Sequence, residues 1–196
     1  QISDVLRMLD ILKSLGAEVA RTGGRGVRIC AKNIDLSKID RQAIKAMRSS
    51  VLLLGPLLSR CGEVELPEPG GCIIGNRPLD THLFALGELG AVISRSSAGY
   101  CLKGGGLKSA TIILPEFSVT ATENALMAAV LLPGKTIIKM AAAEPHVQDL
   151  ILFLSRMGAK IKGAGTHTLE IEGVEKLHGA RHKIIPDQIE AGTFAA

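Results

Sequence analysis

Three short stretches of this chain match one another. Leu15-Gly16-Ala17-Glu18-Val19, Leu89-Gly90-Ala91-Val92-Ile93 and Met157-Gly158-Ala159-Lys160-Ile161 each close a helical apolar pattern and open a strand. Their glycines stand 74 and then 68 residues apart. A second marker keeps step: Thr111-Ile112-Ile113-Leu114-Pro115-Glu116 is matched 71 residues later by His182-Lys183-Ile184-Ile185-Pro186-Asp187. Glycine directly after the last apolar helical residue stops a helix, because the left-handed backbone needed there costs it little. Each unit then reads helix, strand, helix, strand, strand, with a buried first helix. The chain holds the end of one unit, two whole units and the start of a fourth. Solenoid modules repeat every 20–50 residues or so, a shorter period than this one. The repeat therefore predicts a pseudo-symmetric α/β globular fold.

Local patterns place the elements. A helix is expected over 2–15, strands over 17–21 and 27–31, and one buried helix over 40–62, bent near Gly55-Pro56. Lys45 and Arg48 would lie one turn apart on it and could face one ligand. Arg21, Arg25 and Arg28 read as a solvated face, with ligand binding the lesser alternative. Then come a strand at 63–66, a helix at 79–89, and strands at 91–95, 99–103 and 110–114. A polar entry at 116–124 leads into a buried helix at 124–132. Its hydroxyls, Ser118, Thr120 and Thr122, can cap backbone N–H groups or grip a ligand. A strand at 135–140, a helix at 145–157, strands at 159–162, 168–172 and 181–185, and a new helix after Pro186 complete the series.

Composition excludes several classes. Hydrophobic residues make up 46% but aromatic ones only 3%, so the core must be aliphatic. The stacking rings that single-stranded nucleic acid needs are scarce. The net charge of +4 is scattered, which fits an anionic small-molecule ligand better than a nucleic-acid stripe. Cys30, Cys61, Cys72 and Cys101 form no C-x-x-C pair, which argues against zinc and for a reducing cytoplasm. His146, His167, His178 and His182 have no carboxylate or cysteine at a familiar ligand spacing, so no metal is expected. The apolar run 125–132 is too short to span a bilayer. Gly104-Gly105-Gly106-Leu107-Lys108-Ser109 resembles a phosphate loop superficially, but Leu107 breaks the spacing and a strand follows. A Gln at position 1 and an unfinished helix at 186–196 suggest a piece of a longer protein.

One stretch concentrates chemistry: Pro69-Gly70-Gly71-Cys72-Ile73-Ile74-Gly75-Asn76-Arg77-Pro78-Leu79-Asp80-Thr81-His82. Arg77 stands just before a helix N-terminus, and guanidinium and helix end together attract an anion. The same field would favour the Cys72 thiolate. A tight surface turn with an incidental cysteine is the plain alternative.

These residues resemble the enolpyruvyl transferases. The match rests on the stretch just quoted and on Lys45-Ala46-Met47-Arg48-Ser49-Ser50, Ser118-Val119, Glu144-Pro145, Ile171-Glu172-Gly173-Val174 and Pro186-Asp187-Gln188-Ile189-Glu190-Ala191-Gly192-Thr193. The resemblance implies an inside-out α/β barrel, with helices inside and sheets outside. It implies a cysteine-loop domain at 1–185 and the start of a second domain at 186–196. It also implies transfer of the enolpyruvyl group of phosphoenolpyruvate to the 3′-hydroxyl of UDP-N-acetylglucosamine, the first committed step of peptidoglycan synthesis, in the cytoplasm. No metal, organic cofactor, nucleic acid or membrane insertion is implied. Cys72 would be the catalytic group, on a loop that closes over the substrates. Arg48, Arg77, Pro78, Leu79, Asp80, Thr81, His82, Ser118 and Val119 would contact them. The chain departs from the best-known members at Glu116, where they have Lys, and at Gln188, a common Arg. The family's Lys-Asn pair and general-base Asp match nothing in this sequence, so the piece alone is expected to be inactive. A non-catalytic nucleotide-sugar-binding paralogue and a sister transferase with another acceptor are the alternatives.

Overall fold

The computed structural model of the chain describes residues 2–70 and 78–196. The three repeat glycines occupy equivalent places. Gly16, Gly90 and Gly158 have φ of 93°, 96° and 101°. Each follows a helix: α1 (Ser3–Ser14), α4 (Asp80–Glu88) and α6 (Pro145–Arg156). After each, the same two bonds close the helix end. Gly16, Gly90 and Gly158 donate to Lys13, Gly87 and Ser155, and Ala17, Ala91 and Ala159 donate to Leu12, Leu86 and Leu154. These paired bonds satisfy carbonyls that a helix end would leave open, and they turn the chain into the next strand.

The two whole units then superimpose in order. The first runs α3 (Leu54–Cys61), β3 (Glu63–Leu66), α4, β4 (Val92–Ser96), β5 (Gly99–Lys103). The second runs α5 (Val119–Ala129), β7 (Lys135–Lys139), α6, β8 (Lys160–Lys162), β9 (Thr168–Glu172). In each sheet the last strand lies in the middle and both its neighbours are antiparallel: β3-β5-β4 and β7-β9-β8. Between the units, β6 (Thr111–Ile113) joins β7 in parallel, with Thr111 opposite Ile137. Ahead of them α1 packs on the hairpin β1 (Glu18–Thr22) and β2 (Gly26–Cys30).

The core lies where α5 meets α3 and α4. Ala121, Ala125, Leu126, Ala128 and Ala129 of α5 are at most 1% exposed. Small side chains let neighbouring helices come close. A Cβ on Gly55 would stand 2.3 Å from the Asn124 carbonyl oxygen, so the α3–α5 contact requires glycine. Leu54, Leu58, Leu86 and Leu102 fill the remaining interior. Among the described residues no helix is long and apolar enough to cross a membrane.

Three expectations are corrected. The single helix over 40–62 is three pieces: α2 (Arg41–Lys45), a 3₁₀ turn at Arg48–Leu53, and α3. The break falls at Met47, which is extended (φ −142°, ψ 122°), so Lys45 and Arg48 do not share a helix face. Pro56 causes no bend, because it sits in the first turn of α3, where no N–H is required. Second, α5 begins at Val119, five residues before the expected start at 124; Ser118 caps it by accepting from the Ala121 N–H at 3.4 Å. Third, 181–185 is not a strand. Its counterpart β6 gets its ladder from the first strand of the following unit, and 181–185 meets no strand among the described residues. Side chains hold it instead. The His182 Nε2–H donates to Asp149 Oδ1 at 2.9 Å while Arg156 donates to its Nδ1 at 3.1 Å. The last helix, α7 (Gln188–Ala195), is capped by Asp187.

Candidate functional site

Several of the expected contact residues gather where α4 and α5 begin. Ser118 is the N-cap of α5, and the N–H groups of Val119 and Thr120, in its first turn, have no partner inside the helix. The preceding residue pair reaches α4: Thr81 Oγ1 donates to Glu116 Oε1 at 2.7 Å. Arg48, at the start of the 3₁₀ turn, donates to the Pro78 carbonyl at 3.3 Å. The stem of the glycine-rich loop is pinned nearby. A Cβ on Gly70 would stand 1.7 Å from the Lys45 carbonyl oxygen, so only glycine lets the chain pass the end of α2. Together, two helix N-termini, the Ser118 hydroxyl and a guanidinium offer donors to an acceptor-rich ligand, with two carboxylates, Glu116 and the exposed Asp80 in the first turn of α4, among them.

Cys72 and Arg77 lie outside the described residues. Of the expected contact stretch 78–82, Pro78 and Asp80 are exposed, whereas Leu79, Thr81 and His82 are 3%, 7% and 4% exposed. The first turn of α4 packs against α5, which turns those three side chains inward. Both ring nitrogens of His82 have partners inside the protein, Thr120 Oγ1 and Asn124 Nδ2.

Asn124 explains this. It is the amide directly before the apolar run 125–132, fully buried, and its place at the head of that run was the signal that sequence reading passed over. Its Oδ1 accepts from the Gly55 N–H at 2.8 Å, and its Nδ2 donates to the Val51 carbonyl at 2.9 Å and to His82 Nδ1 at 2.9 Å. One side chain thus ties the 3₁₀ turn, α3 and α4 to α5. Burial, then Arg48, push the His82 ring down to about 4, against the pull of Glu116, so it is neutral at pH 7.

A second titrating group, Glu123, lies on α5 next to Asn124. Burial, then Glu144, push the Glu123 carboxyl up to about 7. The two groups act on stability with opposite signs. Between pH 4 and 6.5 the unfolded chain binds the His82 proton and the fold does not, so stability rises with pH. Between pH 4.5 and 7 the fold holds the Glu123 proton and the unfolded chain does not, so stability falls with pH. Glu123→Gln should therefore raise the urea midpoint at pH 8, leave little change near pH 4.5, and uncover the rising His82 slope between. A variant whose midpoint shift is the same at both pH values would contradict this.

Helices within, sheets without, and polar helix ends gathered where α4 and α5 begin define an enolpyruvyl transferase class of domain. The family model for EPSP synthase (3-phosphoshikimate 1-carboxyvinyltransferase) matches residues 1–196, and the chain belongs to that family. It is 46% identical to a UDP-N-acetylglucosamine 1-carboxyvinyltransferase of Koribacter versatilis, over 99% of this chain and 46% of that protein. It is 47% identical to one of Magnetococcus marinus, over 98% of this chain and 46% of the relative. The chain thus spans about half the length of these curated relatives. Among solved structures, the enolpyruvyl transferase NikO from Streptomyces tendae matches with TM-score 0.83 and 25% identity, over 98% of this chain and 46% of that one. EPSP synthase from Acinetobacter baumannii matches with TM-score 0.71 at 22% identity, over 99% of this chain and 44% of that one, and shares the fold.

Proposed function

We propose that this chain is the cysteine-bearing part of an enzyme that transfers the enolpyruvyl group of phosphoenolpyruvate to the 3′-hydroxyl of UDP-N-acetylglucosamine. The observation that carries the reading is identity of 46–47% to two carboxyvinyltransferases of that name across nearly all of the chain. An alignment covering 99% of the chain takes in the Cys72 loop.

In this reading the 3′-oxygen adds to C2 of phosphoenolpyruvate while C3 takes a proton. Loss of that proton from C3 then expels phosphate and restores the double bond. Cys72 supplies the proton to C3; its sulfur can also add to C2 of phosphoenolpyruvate, an adduct from which the thiolate must leave again before the 3′-oxygen bonds to C2. Arg48 and Arg77 hold the anionic groups, with bidentate donors suited to phosphate and carboxylate. Pro78, Asp80, Ser118 and Val119 contact the nucleotide sugar. Leu79, Thr81 and His82 shape that contact from behind, consistent with their burial. The boundary between this domain and the next falls at 185/186. The charged substrates place the enzyme in the cytoplasm.

The test is phosphate release from phosphoenolpyruvate and UDP-N-acetylglucosamine, measured with the longest reading frame that contains this chain. Release that depends on both substrates is expected. Binding of UDP-N-acetylglucosamine without turnover would favour a non-catalytic paralogue. A different acceptor is the second reading, and one observation favours it: Glu116, held by Thr81, puts negative charge beside the α5 N-terminus. Phosphate release with another hydroxyl acceptor of a substrate panel in preference to UDP-N-acetylglucosamine would support that reading.

A further inference from the structure

The hydrogen bonds around Asn124 have a direction, and it can be followed to the surface. Asn124 cannot be turned over: Oδ1 faces the Gly55 N–H and Nδ2 faces the Val51 carbonyl, and exchanging them would set donor against donor and acceptor against acceptor. So Nδ2 is the group that faces His82 Nδ1 at 2.9 Å, and Nδ1 must accept. A neutral imidazole that accepts at Nδ1 carries its proton on Nε2. That nitrogen lies 3.1 Å from Thr120 Oγ1, so the hydroxyl oxygen accepts there. The hydroxyl proton of Thr120 then has to point elsewhere. Thr120 is half-buried in the first turn of α5, next to the cap Ser118, and makes no other hydrogen bond among the described residues.

We infer that Thr120 is a further substrate-contacting residue, whose hydroxyl is set by Asn124 and His82 to donate to an anionic oxygen of the ligand, and that His82 is its positioning residue. The inference rests on the function proposed above and adds to it a contact that the sequence reading left undecided between capping and gripping. The cap is Ser118, not Thr120, which leaves the Thr120 hydroxyl available. A phosphate is the ligand group that fits, because a hydroxyl donor stands in the same first helix turn as N–H groups with no partner inside the helix, and both favour an anionic acceptor. Neutral His82 is required: a second proton, on Nδ1, would face the Asn124 amide donor. Burial and Arg48 oppose that protonation, whereas Glu116 favours it.

Two measurements test this on the longest reading frame that contains the chain. The first is calorimetric binding of UDP-N-acetylglucosamine and of uridine, which has no phosphate. Thr120→Val should weaken UDP-N-acetylglucosamine roughly tenfold, as loss of a hydrogen bond to a charged group does. Thr120→Ser should bind like the parent, and uridine should not distinguish the three. Equal binding of UDP-N-acetylglucosamine by parent and Thr120→Val would overturn the inference while leaving the proposed function standing. Equal loss of uridine would overturn the phosphate contact. If the parent binds no UDP-N-acetylglucosamine, the functional reading fails and takes this one with it. The second measurement is the ¹⁵N spectrum of His82 at pH 7, where the Nε2–H tautomer is expected. A proton on Nδ1 would reverse the direction of the relay and sink it.

Discussion

Asn124→Leu should lower the unfolding free energy by about 4 kcal/mol. Leucine is close in shape, so the loss is one of hydrogen bonds. It leaves the Gly55 N–H and His82 Nδ1 without a partner at a site that water does not reach, and strips one of two donors from the Val51 carbonyl, which keeps the Leu54 N–H. Each stranded buried group costs about 1–3 kcal/mol, and partial relaxation keeps the total toward the low end of the sum. Thr122→Val is the comparison. Thr122 is equally buried in α5, but it links only its own helix and one neighbouring segment: its hydroxyl donates to the Ser118 carbonyl at 2.7 Å and accepts from the Ala142 N–H at 3.0 Å. Its removal should cost about 1–2 kcal/mol. Urea unfolding followed by circular dichroism reads both. If Asn124→Leu costs no more than Thr122→Val, Asn124 does not organise the junction of α3, α4 and α5.

How much of this could be read beforehand depended on whether the deciding contacts were local. The repeat was legible because each helix end is a local event: Gly16, Gly90 and Gly158 take positive φ whatever surrounds them. Strands β3, β5 and β9 fell where the alternation put them, since one face of each is buried. The errors came where a distant partner decides. The pattern over 181–185 is a strand pattern, but a strand needs a neighbour, and His182 instead meets Asp149. The apolar pattern over 40–62 marks burial correctly, yet it does not reveal the extended Met47 that splits the helix. At the site, residue types marked 78–82 and 118–119 as one candidate region, while which of those side chains are exposed and which are buried needed the packing of α4 on α5. Leu79, Thr81 and His82 sit inside for that reason, and Thr81 finds Glu116 across 35 positions.

Cys72→Ala should reduce enolpyruvyl transfer by roughly a hundredfold to ten-thousandfold, the range over which a positioned proton donor acts. The same thiol should react with fosfomycin, an epoxide that mimics phosphoenolpyruvate. A thiolate opens the strained ring at carbon and the ring oxygen takes a proton, so the protein gains the whole mass of the reagent. Selectivity comes from the surroundings. Cys30, Cys61 and Cys101 are all half-buried, and burial pushes the Cys61 thiol up, away from the reactive thiolate. Cys72 shares its stretch of chain with Arg77 and precedes the N-terminus of α4, both of which favour a thiolate and attract the phosphonate of the reagent. Intact-mass measurement on the longest reading frame, with UDP-N-acetylglucosamine present, should show one adduct in the parent and none in Cys72→Ala. Peptide mapping should place that adduct on Cys72. An adduct on Cys61 or Cys101, or turnover that survives Cys72→Ala at the parent rate, would remove the cysteine from the chemistry and leave the anion-binding helix ends as all that the loop serves.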